Sequence, residues 1–253
     1  MELDGKVAVI YGGGGHIGGA VARAFAREGA TVHLAGRTQA TLDKVANEIG
    51  AHTAIVDAFD EASVDAFVDA VVAQSGRIDI SFNAVTIENR QGTRLVELSL
   101  VDVEGPAHQI ITTQFITARA AARHMVPQGS GVILTFGGRY GINPLRDYMT
   151  GGHLHPMGGY PTALAAQAVL ANQLAMELGP HGVRVVGIET SGVPETMPDQ
   201  VREFMEPGLA NLNMLKSPET LGDVANAAVW VCSDRAGHIT GTKINVTGGN
   251  TAD

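Results

Sequence analysis

The stretch VAVIYGGGGHIGG, Val7 to Gly19, decides the fold. An apolar run of strand length, Val7–Tyr11, enters four consecutive glycines, and a segment with apolar residues at helical spacing, Ile17–Glu28, follows at once. A glycine-rich turn between a first strand and a first helix lets backbone N–H groups approach a pyrophosphate, which the positive end of the helix also attracts. Gly12, Gly14, Gly15, His16, Ile17 and Gly18 are therefore candidate nucleotide-binding residues. A merely tight turn is the bland alternative, and the placement between strand and helix favours the nucleotide.

Working outward, further strand-length runs stand at Thr31–Ala35, Thr53–Val56, Ile78–Asn83, Val132–Phe136, Val183–Ile188 and Lys243–Val246. Helical patterns separate them, at Ser63–Gln74, Val101–Met125 and Tyr160–Leu178, and Ser217-Pro218-Glu219 reads as the start of another helix reaching about Ser233. Continuous apolar strands alternating with helices predict an α/β fold: one doubly wound, Rossmann-type parallel sheet of about seven strands, covered on both faces. Residues 1–253 are read as one domain. Glycine is frequent, 32 residues, yet it sits in turns, and a hydrophobic fraction of 45% with 17% charged residues describes a chain with a sizeable core rather than a disordered one.

A formal charge of −9 argues against nucleic acid and anionic membranes as partners, since both need clustered Lys and Arg. No run of 18 apolar residues occurs, the single Cys232 makes no internal disulfide, and the N-terminal residues carry no leader pattern, so a cytoplasmic location is expected. The long helices hold more small apolar residues than one sheet face covers, which predicts a homo-oligomer, dimer or tetramer.

At the end of the second strand a dinucleotide fold selects its cofactor. An acidic residue there accepts from a ribose 2′-hydroxyl, whereas an Arg accommodates a 2′-phosphate. The text here is Gly36-Arg37, which favours NADP(H) over NAD(H). Asp57, after the third strand, is a candidate acceptor for the adenine amino group, with a turn-forming Asp as the alternative.

The glycine-rich turn, the pair Asn83-Ala84 after the fourth strand, the helix YPTALAAQAVLANQLAMELGPHGVRV from Tyr160, and the tail ITGTKINVTGG from Ile239 together resemble the short-chain dehydrogenase/reductase superfamily over nearly the whole chain. The resemblance implies a nicotinamide-dependent oxidoreductase, usually tetrameric, acting on a small molecule through Asn, Ser, Tyr and Lys. It adds Asn83 and Ala84 to the cofactor-binding set and makes Tyr160 the acid/base. The other three positions have changed: the Lys position falls on Leu164, the Ser position on Gly138 and the Asn position on Ile110. No lysine occurs between Lys44 and Lys216, so no shift of register restores one. His16 stands where the family has a second Gly, and Val85 ends its Asn-Ala-Gly segment.

A tyrosine of pKa near 10 is about one part in a thousand phenolate at pH 7, so without a cation it is a poor base but an available acid. Carbonyl reduction should therefore suffer less than alcohol oxidation. Arg139, Arg146, His153 and His155, in the glycine-rich segment before Tyr160, are candidate replacement cations, with solvated loop residues as the plainer reading. No metal site is expected, because His153 and His155 have no carboxylate or thiol at ligand spacing. Two other functions stay open: a nucleotide-binding protein without redox turnover, and a non-redox isomerase or dehydratase reusing the pocket.

Overall fold

The protein is described by a computed structural model covering residues 1–138 and 156–250. Its elements alternate from the start: β1 (Val7–Tyr11), α1 (His16–Arg27), β2 (Thr31–Gly36), α2 (Gln39–Ile49), β3 (His52–Ile55), α3 (Glu61–Ser75) and β4 (Ile80–Asn83). They continue with α4 (Leu100–Gln128), β5 (Gly131–Gly138), α5 (Tyr160–Leu178), β6 (Val183–Thr190), α6 (Asp199–Leu212), α7 (Leu221–Cys232) and β7 (Thr242–Asn245). The strands form one sheet in the order β3-β2-β1-β4-β5-β6-β7, with every pairing parallel. The order reverses between β1 and β4, so a crevice opens beyond their carboxyl ends, the place where such sheets bind ligands.

The period-two alternation of β1 builds both cores at once. Ala8 and Ile10 join Val21 and Phe25 of α1 and Val224 and Ala228 of α7 on one face. Val7, Val9 and Tyr11 meet Val64 and Val68 of α3, Ile116 of α4 and Ala171 of α5 on the other. A strand buried on both faces must be apolar throughout, which is why β1 reads as a continuous run.

Strand ends agree with the sequence expectation to within one or two residues, but three helical features differ. The helix expected from Ser217 begins only at Leu221, where Thr220 and Asp223 form a reciprocal capping box. The preceding Glu219 is withdrawn into the protein. One carboxylate oxygen accepts from the backbone N–H groups of Ser191 and Gly192 and from the Ser191 hydroxyl, and the other accepts from Asn213 Nδ2. Two helices went unforeseen. α2 carries buried Leu42, Val45 and Ala46 at helical spacing, whereas α6 buries only Leu209 and so offers no apolar stripe to read. Arg119 and Arg123 of α4 pair with Glu61, Asp65 and Asp69 on α3.

Candidate active site

Two cavities lie side by side at the switch crevice and share Val85 and Thr86 on their common wall. One, of about 270 Å³, brings together Gly12, Gly14 and Gly15 with Arg37 and Asp57. The other, of about 290 Å³, gathers Ile17, Asn83, Ala84, Gly138 and Tyr160. Of the sequence candidates, His16 and Gly18 border neither: His16 is exposed at the start of α1, and Gly18 is buried.

The glycine turn is dictated by close approach. Gly12 has φ +73°, and a Cβ there would lie 2.5 Å from the Ala84 carbonyl oxygen; a Cβ at Gly18 would lie 2.3 Å from the carbonyl oxygen of Gly12. A side chain at Gly12 would push the turn off the segment after β4, and one at Gly18 would push α1 off the turn. The backbone N–H groups of Gly12 and Gly13 donate to the Ala35 carbonyl, tying the turn to β2. α1 has no side-chain cap and no acidic residue in its first turn, so its leading N–H groups remain available to an anion beside the turn. These features fit a dinucleotide pyrophosphate.

Arg37 is exposed and, among the described residues, forms no ion pair, unlike Arg23, which pairs with Glu48. Asp57 closes a turn by accepting from Phe59 N at 3.0 Å while also lining the cavity, so the turn reading of this residue holds alongside any ligand role. Tyr11 lines the same cavity, but its buried hydroxyl is pushed well above the ordinary phenol range, by burial first and then by the Asp65 charge. It stacks edge-on to Phe67 at 5.8 Å as part of the core.

Asn83 ends β4 and is committed to structure. Its Oδ1 accepts from Val85 N at 3.1 Å, and its Nδ2 donates to Thr117 Oγ1 at 3.3 Å, joining β4 to α4. Tyr160 occupies the first position of α5, after Gly159, where a Cβ would lie 2.1 Å from the Val103 carbonyl oxygen. That approach presses the start of α5 against α4 and sets Tyr160 at the cavity.

Ile110, Leu164 and Gly138, where the resemblance leads one to expect Asn, Lys and Ser, lie at or beside this cavity. Ile110 and Leu164 are 3% and 5% exposed and form an apolar cluster with Ala163, against which Tyr160 packs. Gly138 closes β5 at the cavity wall. Among the described residues no charged side chain lines the reaction cavity. Arg139, Arg146, His153 and His155 lie outside the described residues. Among the described residues no group of His, Cys, Asp or Glu is arranged to hold a metal, and no helix is long and apolar enough to cross a membrane.

Sequence reading missed Gln114 and Gln167, two buried amides on the cavity wall. Gln167 Nε2 donates to Gln114 Oε1 at 3.2 Å and to the Phe136 carbonyl at 3.3 Å. The available signal was their spacing: Gln114 lies four residues after Ile110, and Gln167 three after Leu164, on the same helical faces.

Residues 14–251 match the family model described as enoyl-(acyl carrier protein) reductase. The chain is 30% identical over 257 residues to secoisolariciresinol dehydrogenase of Forsythia intermedia, covering 98% of this chain and 90% of that protein. It is 30% identical over 265 residues to 3alpha-hydroxysteroid dehydrogenase of Mediterraneibacter gnavus, covering 98% of each. A short-chain type dehydrogenase/reductase from Mycobacterium marinum superposes with a TM-score of 0.82 at 28% identity, covering 100% of this chain and 97% of that one.

Proposed function

The chain belongs to the short-chain dehydrogenase/reductase superfamily, and from that premise we propose that it is an NADP(H)-linked reductase of a small carbonyl compound, with Tyr160 as proton donor. The carrying observation is the position of Tyr160 on the same cavity as Asn83, Ala84 and Gly138, next to the cavity of the glycine turn and Arg37. The dinucleotide supplies the hydride. Gly12, Gly14, Gly15 and the start of α1 hold its pyrophosphate, Arg37 meets the 2′-phosphate, and Asp57 faces the adenine side.

The chain's own share of the chemistry is a proton delivered from the Tyr160 hydroxyl to the carbonyl oxygen as it becomes an alcohol. A phenol hydroxyl carries the proton that this step requires. Ile110, Ala163 and Leu164 set apolar atoms against the Tyr160 ring, and the reverse reaction, alcohol oxidation, needs the phenolate that is scarce at neutral pH for an unassisted phenol. The Gly138 position offers no side-chain donor to the oxyanion.

The test follows absorbance at 340 nm with NADPH and a panel of neutral ketones, for wild type and Tyr160→Phe. Wild type should turn over, and loss of the hydroxyl should slow it by about 10²–10⁴-fold; equal rates would remove Tyr160 from the mechanism. The absence of charged side chains from the described cavity walls favours one rival, a nucleotide binder without turnover. That reading predicts NADPH binding with no absorbance change on any ketone.

A homo-oligomer belongs to the same proposal. Ile111 and Phe115 on α4 and Val169 and Met176 on α5 are exposed, the last at 78%, and burying them against a second copy would remove a large apolar area from water. Light scattering at micromolar concentration should give a multiple of the chain mass.

A further inference from the structure

We propose that Gln114 and Gln167 form a neutral polar floor to the reaction cavity that binds the hydroxyl oxygens at the nicotinamide-ribose end of the dinucleotide. This rests on the cofactor reading above and deepens it. Positions 110 and 164 are apolar, while 114 and 167, about one turn along the same helical faces, carry amides.

The orientation of both amides follows from one backbone group. The Phe136 carbonyl only accepts, so the end of Gln167 facing it at 3.3 Å is Nε2. The same nitrogen donates to Gln114, so the end of Gln114 facing Gln167 at 3.2 Å is Oε1. Gln114 Nε2 is thereby the donor end left to the cavity.

β5 makes room for this arrangement. A Cβ at Gly137 would stand 2.9 Å from Gln167 Oε1 and 2.8 Å from Leu164 Cδ2, so glycine there is what lets Gln167 approach the strand. A simple cross-link between α4 and α5 would not need to open on a cavity, yet both residues line the one that holds Tyr160. An amide is also the donor that suits the place. It carries no charge and so needs no counter-ion on a wall that has none among the described residues, and it donates to a neutral hydroxyl without titrating.

The experiment compares two ligands on the full-length protein by fluorescence titration: NADPH, and 2′,5′-ADP, which lacks the nicotinamide half. Gln114→Leu should weaken NADPH about tenfold, the scale of one hydrogen bond to a buried group, and leave 2′,5′-ADP within twofold. Gln167→Leu should weaken NADPH less, and the double variant no more than Gln114→Leu alone, because Gln167 acts through Gln114. Thermal unfolding followed by circular dichroism checks that the variants fold. A variant that fails to fold is replaced by Gln114→Met, which is close to Gln in volume and carries no donor. Equal weakening of both ligands would mean a structural role only and would overturn the proposal, as would unchanged NADPH affinity. If wild type binds neither ligand, the cofactor reading itself falls; if wild type binds both and the variants match it, only the role of the amides falls.

Discussion

The two cavities of the crevice are built on opposite principles. The one around Gly12, Gly14 and Arg37 depends on backbone: glycines that bring a turn within van der Waals limits of β4 and α1, and a helix end without a side-chain cap. The one around Tyr160 depends on side chains, with Ile110 on its wall, Leu164 packed against Ile110 and Tyr160, and Gly138 at the end of β5. Backbone geometry tolerates almost no substitution, because a single Cβ collides with a carbonyl. Side-chain chemistry is more easily exchanged, provided the replacements pack. One cavity is shaped by backbone, the other by packed side chains.

The contrast breaks most sharply at Gly18. Gly18→Ala places a methyl 2.3 Å from the Gly12 carbonyl oxygen, so NADPH binding should become undetectable by fluorescence titration, with a fall of several degrees in Tm. Retention of wild-type affinity would mean that the turn is not what holds the nucleotide.

Leu164→Lys probes the other half. A lysine there enters the apolar cluster with Ile110 and Ala163, and the protein should lose about 2–4 kcal/mol of stability by chemical denaturation, as for an unpaired charge in a packed site. In the folded fraction the cation should speed alcohol oxidation more than ketone reduction, because only oxidation starts from phenolate. Oxidation and reduction rising equally would remove the link between position 164 and the ionisation of Tyr160.

A third outcome sharpens the comparison below the nucleotide turn, on β2. His33 is 2% exposed, and burial, with the stacked His52 adding to it, pushes its imidazole down to about 4. The folded protein keeps it neutral while the unfolded chain takes up a proton near pH 6.5. Its contribution is therefore complete above about pH 6.5 and lost as pH falls toward 4, on the order of 1–3 kcal/mol. His33→Leu should flatten that part of the stability curve measured by urea denaturation; an unchanged slope would exclude His33 as its source.

The smallest effect is at Arg37. Arg37→Asp should narrow or reverse the preference for NADPH over NADH by about tenfold, the scale of one charge-assisted contact at an exposed site. Equal titration curves for the two dinucleotides with wild type would remove the cofactor preference.

Much of this organisation was legible in the chain. The strand β1 and the helix α5 have the bounds that their apolar periodicity indicates, because a buried parallel strand and a long packed helix each require an unbroken pattern. The candidate cofactor residues Gly12, Gly14, Gly15, Arg37 and Asp57 meet in one cavity because strand order alone carries the ends of β1, β2 and β3 to the same edge. α6 was invisible because a helix that buries one residue leaves no stripe. The start of α7 was misplaced because Glu219, which suits a helix N-terminus locally, finds three donors on the segment after β6 instead.

By itself the sequence determined the alternation of strands and helices and the glycine turn, since each depends on residue identity and near neighbours. Tertiary structure alone decided which polar groups line the cavity of Tyr160. Gln114 and Gln167 are 53 positions apart and meet only because α4 and α5 pack side by side, with the glycine at 137 letting the second amide reach the strand. A hydrogen bond between two helices is a property of their packing, and no local pattern in either helix records it.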